Sequence, residues 1–169
     1  MGRKTSSEDI RKIVKALRDA MPDICIRTTL ICGFPGETEQ MHEELMHFVE
    51  EMQFDRLGCF AYSRQEGTPA NDFEEQVDDT LKEEWVAEIM ELQQDISMEC
   101  NQKLIGTTME VFVEGKVADE NAYVARTYRD APDVDGLLFV QTDQELMTGD
   151  FIQVRVTGAY EYDLIGELL

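Results

Sequence analysis

A chain of 169 residues with 43% hydrophobic and 30% charged side chains is long enough for one or two small domains with real cores, which excludes a disordered polymer. Fifteen Lys and Arg against 36 Asp and Glu leave a net charge of −21, a field that repels nucleic acid and anionic lipid and attracts a basic partner. No apolar run approaches the roughly 20 residues of a membrane-spanning helix and the charged start is no signal peptide, so a soluble cytoplasmic protein is expected.

Thr5 followed by Glu8 is a capping box, and Ile10, Ile13, Val14, Leu17 and Met21 recur at helical spacing, so a helix is predicted from about Ser6 to Met21. Ile24 to Cys32 is a mostly apolar run that reads as a strand covered on both faces, with Arg27 conspicuous inside it. A buried guanidinium must be paired, so Arg27 either holds a carboxylate or points into a polar cavity. The strand runs into Gly33-Phe34-Pro35-Gly36-Glu37-Thr38, a stiff loop whose glycines admit unusual backbone angles and whose open backbone suits close approach to a ligand. An ordinary βα turn is the plain alternative.

Met41, Leu45, Phe48, Val49 and Met52 mark a second amphipathic helix, with Glu37 and Glu39 suited to its positive amino end. Leu57 to Tyr62 is a second strand, left by a polar loop from Ser63 to Pro69. Helix, strand, helix, strand implies parallel pairing through right-handed crossovers. Two such strands need further neighbours, so the segment reads as a piece of a larger sheet. Between Asn71 and Glu99 eleven acids face one base, Lys82; Thr80 with Glu83 forms a capping box, and Leu81, Trp85, Ile89, Leu92, Ile96 and Leu104 give the stripe of a long helix ending near Gly106. Trp85 is read as a core anchor and the acids as a solvated face.

From Thr107 the period becomes alternating, with strands expected at Met109 to Glu114, Tyr123 to Thr127, Leu137 to Gln141, Phe151 to Ala159 and Leu164 to Leu168. Turns are expected at Asp119-Glu120-Asn121, Asp130 to Gly136 and Thr148-Gly149-Asp150. Five short strands in about sixty residues predict a small closed barrel of the oligonucleotide-binding kind. The four cysteines, Cys25, Cys32, Cys59 and Cys100, make no C-x-x-C pair and read as small buried hydrophobes in a reducing compartment rather than metal ligands.

Three stretches carry a family resemblance: Arg27-Thr28 with Gly33 to Thr38, then Tyr62-Ser63-Arg64-Gln65-Glu66-Gly67-Thr68, then Arg126-Thr127-Tyr128-Arg129-Asp130-Ala131-Pro132-Asp133-Val134-Asp135-Gly136. Together they resemble the radical S-adenosylmethionine methylthiotransferases, and the third block, with Tyr162-Asp163-Leu164, resembles the RimO branch. The resemblance implies an α/β plus all-β fold. Residues 1–70 would be two βα units of a radical S-adenosylmethionine barrel (TIM-like, parallel), 71–105 an acidic connecting helix, and 106–169 a five-stranded, OB-like TRAM β-barrel.

By resemblance, the parent enzyme methylthiolates the β-carbon of an aspartate in small-subunit ribosomal protein S-twelve, using S-adenosylmethionine and two [4Fe-4S] clusters. The cluster-binding C-x-x-x-C-x-x-C loop is not found here, and Met1-Gly2-Arg3 resembles an interior stretch of the family. The expectation is a truncation or partial reading frame, inactive alone, with no catalytic or metal-binding residue of its own. The matching positions imply cofactor contacts from Ile31, Gly33 and Glu37; Arg27 would meet the cofactor's carboxylate or order the substrate, and Tyr62 and Ser63 would line the mouth. A second copy of the chain is one way to cover the exposed sheet edge. Residues 106–169 hold four basic against thirteen acidic side chains, a net charge of −9, which favours a basic protein over RNA as the partner. The alternatives are a fragment of the transfer-RNA adenosine methylthiotransferase branch, MiaB, and a non-catalytic protein-binding TRAM module.

Overall fold

The computed structural model describes residues 4–118 and 120–169; the Met1 to Arg3 stretch, and Asp119 of the first barrel turn, lie outside the described residues. The elements run α1 (Ser7–Ala20), β1 (Arg27–Cys32), α2 (Glu39–Met52), β2 (Arg56–Ala61), a 3₁₀ turn (Pro69–Asp72), α3 (Asp79–Gln102), then β3 (Thr108–Lys116), β4 (Ala122–Thr127), β5 (Leu138–Gln141), β6 (Phe151–Ala159) and β7 (Leu164–Leu168). They form two compact units, one up to Ile96 and one from Ser97 to Leu169, divided within α3.

In the first unit, α1 begins one residue later than the sequence reading placed it. Ser6, not Thr5, is the cap: its Oγ accepts from the Asp9 amide at 3.2 Å while Asp9 Oδ2 accepts from the Ser6 amide at 2.9 Å. Arg18 near the other end donates to the carbonyls of Met52 and Gln53, both at 2.6 Å, serving acceptors that α2 leaves unpaired at its terminus. Thr38 caps α2 through the Met41 amide, and Gln53 closes it in the left-handed region at φ 49°.

Strands β1 and β2 pair in parallel, Arg27 opposite Arg56 through Cys32 opposite Ala61, as the element order requires. The sheet is not covered on both faces. Burial alternates along β1, with Arg27, Thr29 and Ile31 exposed and Thr28, Leu30 and Cys32 turned inward. The apolar run was misleading because its outward residues are apolar too: Ile31 and its neighbour Phe60 are 44% and 62% exposed. Arg27 is therefore exposed, not a buried guanidinium.

Asp78, whose Oδ1 accepts from the Thr80 amide at 2.9 Å, lies at the start of α3, so Thr80 falls inside the helix instead of capping it. The buried stripe runs Lys82, Trp85, Ile89, Gln93 and Ile96, and the acids between them face solvent. Gln93 Nε2 donates to the Phe54 carbonyl at 2.8 Å, tying the helix to the turn before β2.

The second unit is a closed barrel in the order β3-β4-β5-β7-β6, antiparallel except for β5 with β7. Closure leaves no sheet edge, and inward positions of all five strands supply one core of Val111, Val113, Tyr123, Ala125, Leu138, Val140, Val154, Val156 and Leu164. Register shifts at Val113/Gly115 and Val156/Gly158 bend the two longest strands around that core. The five-strand OB-like barrel expected from the alternating pattern is what forms.

Candidate functional site

The Gly-Pro-Gly loop follows β1 directly, and its residues explain its shape. Gly33 and Gly36 adopt φ of 75° and 87°, where a Cβ is strained. A Cβ on Gly33 would also collide with the aliphatic stem of Lys82. The loop's donors are used internally. Glu37 Oε2 accepts from the amides of Gly33 at 2.8 Å and Phe34 at 3.0 Å, and Gly36 donates to the Glu75 carbonyl at 2.8 Å. The open backbone expected of this loop is thus already satisfied, by Glu37 folding back beneath it and by the Glu75 carbonyl outside it.

Tyr62 continues β2, its amide donating to the Cys32 carbonyl at 2.8 Å, and its ring meets Phe34 edge-on at 5.2 Å. Lys82 Nζ lies 5.7 Å from the Tyr62 ring centroid and donates to Asp79 at 2.8 Å, which holds the exposed Asp79 carboxyl below its ordinary range. The Tyr62 hydroxyl is buried without a hydrogen-bond partner among the described residues. Ser63 follows it, exposed. Ile31, Gly33, Glu37, Tyr62 and Ser63 therefore gather at the carboxyl ends of the two strands. Arg27 does not: it shares the open face with Ile31 but stands at the opposite end of β1, about 13 Å away at strand rise.

The sequence reading missed His42, Lys82 and Gln93, polar side chains on apolar stripes. His42 is 3% exposed, stacks on Trp85 at 4.9 Å between centroids, and reaches Glu88 Oε2 through Nε2 at 2.7 Å. The signal was present in the 3.6-residue period, since His42, Val49 and Met52 form a tighter stripe than the exposed Met41 allows.

Among the cysteines, Cys32 and Cys59 are buried with Sγ atoms 3.2 Å apart, while Cys25 and Cys100 are half-buried. The hydrogen bond between them pushes the Cys32 thiol far up, with burial adding to the effect, and lowers the Cys59 thiol. Two adjacent thiols fall short of the three cysteines of a C-x-x-x-C-x-x-C loop and of the four of a fully ligated [4Fe-4S] cluster.

In the barrel, Asp130 and Asp135 of the Asp130 to Gly136 block act on their own loop, and Asp163 reaches its end from outside. Thr127 Oγ1 donates to Asp130 Oδ2 at 2.6 Å, Ala131 donates to Asp135 Oδ2 at 2.6 Å, and Leu137 donates to Asp163 Oδ1 at 2.8 Å. Arg126 pairs with Glu114 at 2.7 Å and Arg155 approaches Glu167 at 3.9 Å. Lys116 Nζ lies 5.8 Å from the Tyr123 ring centroid.

The model of the TRAM domain matches residues 105–169. Over 98% of its length the chain is 47% identical to "Ribosomal protein uS12 methylthiotransferase RimO" of Lachnoclostridium phytofermentans. It is 45% identical over its full length to the proteins of the same name from Clostridioides difficile and Carboxydothermus hydrogenoformans. The chain spans 38%, 38% and 39% of these three relatives. The resemblance read from the three sequence blocks is therefore borne out: the chain matches a part of RimO-type proteins and carries a TRAM domain. No helix among the described residues is long and apolar enough to cross a membrane.

Proposed function

We propose that this chain is the carboxyl-terminal portion of a RimO-type enzyme that methylthiolates ribosomal protein uS12 in the cytoplasm, and that its TRAM barrel docks that basic protein. The observation that carries the docking is the barrel's charge: thirteen carboxylates against four cations, with Arg126 and Arg155 each facing a carboxylate. Such a surface steers a cationic polypeptide and repels a polyphosphate.

On this reading the first unit supplies two βα units of the radical S-adenosylmethionine barrel, with the open face of β1 and β2 turned to its interior. The fit to S-adenosylmethionine rests on the buried, unpartnered Tyr62 hydroxyl and on the exposed apolar pair Ile31 and Phe60. Glu37 positions the Gly33 and Phe34 backbone, and the exposed Arg27 would serve substrate or the cofactor's carboxylate from the far end of the strand. When bound beside a cluster the cofactor supplies a carbon radical. The cysteines here do not fit the cluster, so the chain alone is proposed to be inactive and its residues only to bind and orient.

Carbodiimide cross-linking of uS12 lysines to carboxylates of the intact chain tests the docking. Cross-links concentrated between Glu110 and Glu167 are expected. Cross-links confined to the acids of α3, or none, would overturn it. Iron and sulfide reconstitution of the same chain should give no iron–sulfur chromophore; its appearance would contradict the cluster assignment.

A further inference from the structure

Behind the loop, on the face of β1 opposite Ile31, one ligand atom each from Cys32, Glu37 and His42 lies within 4.8 Å of the others. Cys32 is 0% and His42 3% exposed, so this is an interior cluster and not a patch of surface acids. The histidine is set up as a ligand. Its Nε2 faces the Glu88 carboxylate, which only accepts, so in the neutral ring the proton sits on Nε2 and Nδ1 carries the lone pair. Nδ1 is buried with no hydrogen-bond partner among the described residues. A carboxylate fixing the far nitrogen is the arrangement that orients metal-bound imidazole. Glu37 gives Oε2 to two loop amides, which leaves Oε1 as its free donor.

We propose that Cys32, Glu37 and His42 bind one divalent transition ion of the zinc class, with Glu88 orienting His42 and Cys59 as the nearest further donor. Thiolate, imidazole and carboxylate together are a borderline-soft set, which favours zinc or cobalt over magnesium or calcium. Metal–ligand bonds of about 2.0–2.3 Å place tetrahedral ligands roughly 3.3–3.8 Å apart, so the side chains close in by about 1 Å. Binding forms a metal–sulfur bond, and the Cys32 thiol proton leaves to solvent with no change of oxidation state. Half-buried Glu37 lies on the side open to entry. The ion would clasp the end of β1, the Gly-Pro-Gly loop and α2 from the side away from the open sheet face, so the inference does not rest on the proposed methylthiotransferase role. It also reverses the sequence reading of Cys32 as a plain hydrophobe.

Cobalt(II) titration of the reduced full chain tests it, followed by absorption and by equilibrium dialysis with zinc(II). One equivalent is expected, with a thiolate-to-cobalt charge-transfer band and strong tetrahedral d–d bands displaced by zinc. Cys32→Ala and His42→Ala should lose the bands, and Cys25→Ala and Cys100→Ala should keep them. Because the buried substitutions can unfold the unit, Glu37→Gln provides a milder probe, expected to weaken binding at least tenfold with an unchanged circular dichroism spectrum. The absence of stoichiometric binding, or cobalt bands that persist in folded Cys32→Ala or remain undiminished in Glu37→Gln, would overturn the assignment.

Discussion

Gly136 closes the aspartate-rich loop at a place where the barrel has no room for a side chain. A Cβ there would fall on the carbonyl oxygen of Tyr162, with Asp163 Oδ1 only 3.2 Å away. A backbone oxygen cannot swing aside as a side-chain tip can, so in Gly136→Ala the two loops must part by more than 1 Å to reach ordinary contact. That movement breaks the bond from Leu137 to Asp163 Oδ1 and the bond from Leu164 to the Leu137 carbonyl, both 2.8 Å. Overpacking costs about 1–3 kcal/mol, and two lost hydrogen bonds add about 1 kcal/mol each, for a total of about 3–5 kcal/mol. Gly149 is the control: it adopts φ 100° but has nothing within 4 Å of its would-be Cβ, so Gly149→Ala bears only backbone strain of about 1–2 kcal/mol. Native-state amide exchange of the β5 and β7 amides is the assay, because a chain of two units need not unfold in one step. Loss of 3 kcal/mol accelerates globally protected amides about a hundredfold. Equal exchange in the two variants would show that the Gly136 contact does not matter and that the reasoning is wrong.

Thr38→Ala removes the cap of α2 and should cost about 1 kcal/mol in urea unfolding of the first unit, with Thr38→Ser restoring most of it. Trp85→Ala, which empties the slot over His42 and leaves a cavity in the α3 packing, should cost about 3–5 kcal/mol by the same measurement. Hydrogen bonds from Ser6, first through its hydroxyl and then its amide, hold the Asp9 carboxyl below its ordinary 3.8. A depressed acid stabilises the fold above its unfolded-state value and loses that contribution as pH falls through the folded one. The difference in α1 amide exchange between the parent chain and Asp9→Ala should therefore be present at pH 6 and vanish well below pH 3.8.

What the sequence revealed was set by periodicity. In the barrel, alternating burial and turn residues coincide with the strands, so Phe151 to Ala159 and Leu164 to Leu168 were legible to the residue. In β1 the alternation was hidden because Ile31 and Leu30 are both apolar although only one of them faces inward. Helix starts slipped by a residue or two where two nearby polar residues both fit a cap, as with Thr5 and Ser6 or Thr80 and Asp78. The glycines of the loop were readable from chemistry alone, whereas the capture of the Gly33 and Phe34 amides by Glu37 was not, since only the fold brings that carboxylate back beneath the loop. Lys82 escaped because a polar residue on a buried stripe is recognised only from its partner, here Asp79, whereas His42 was readable from the helical period it shares with Val49 and Met52.

Fluorescence anisotropy of the labelled chain against purified uS12 and against transfer RNA, each at low and at physiological salt, tests the electrostatic account most directly. The account predicts saturable binding to uS12 that weakens as salt rises, and no binding to transfer RNA at either concentration. Tight, salt-sensitive binding to the RNA without binding to uS12 would contradict it.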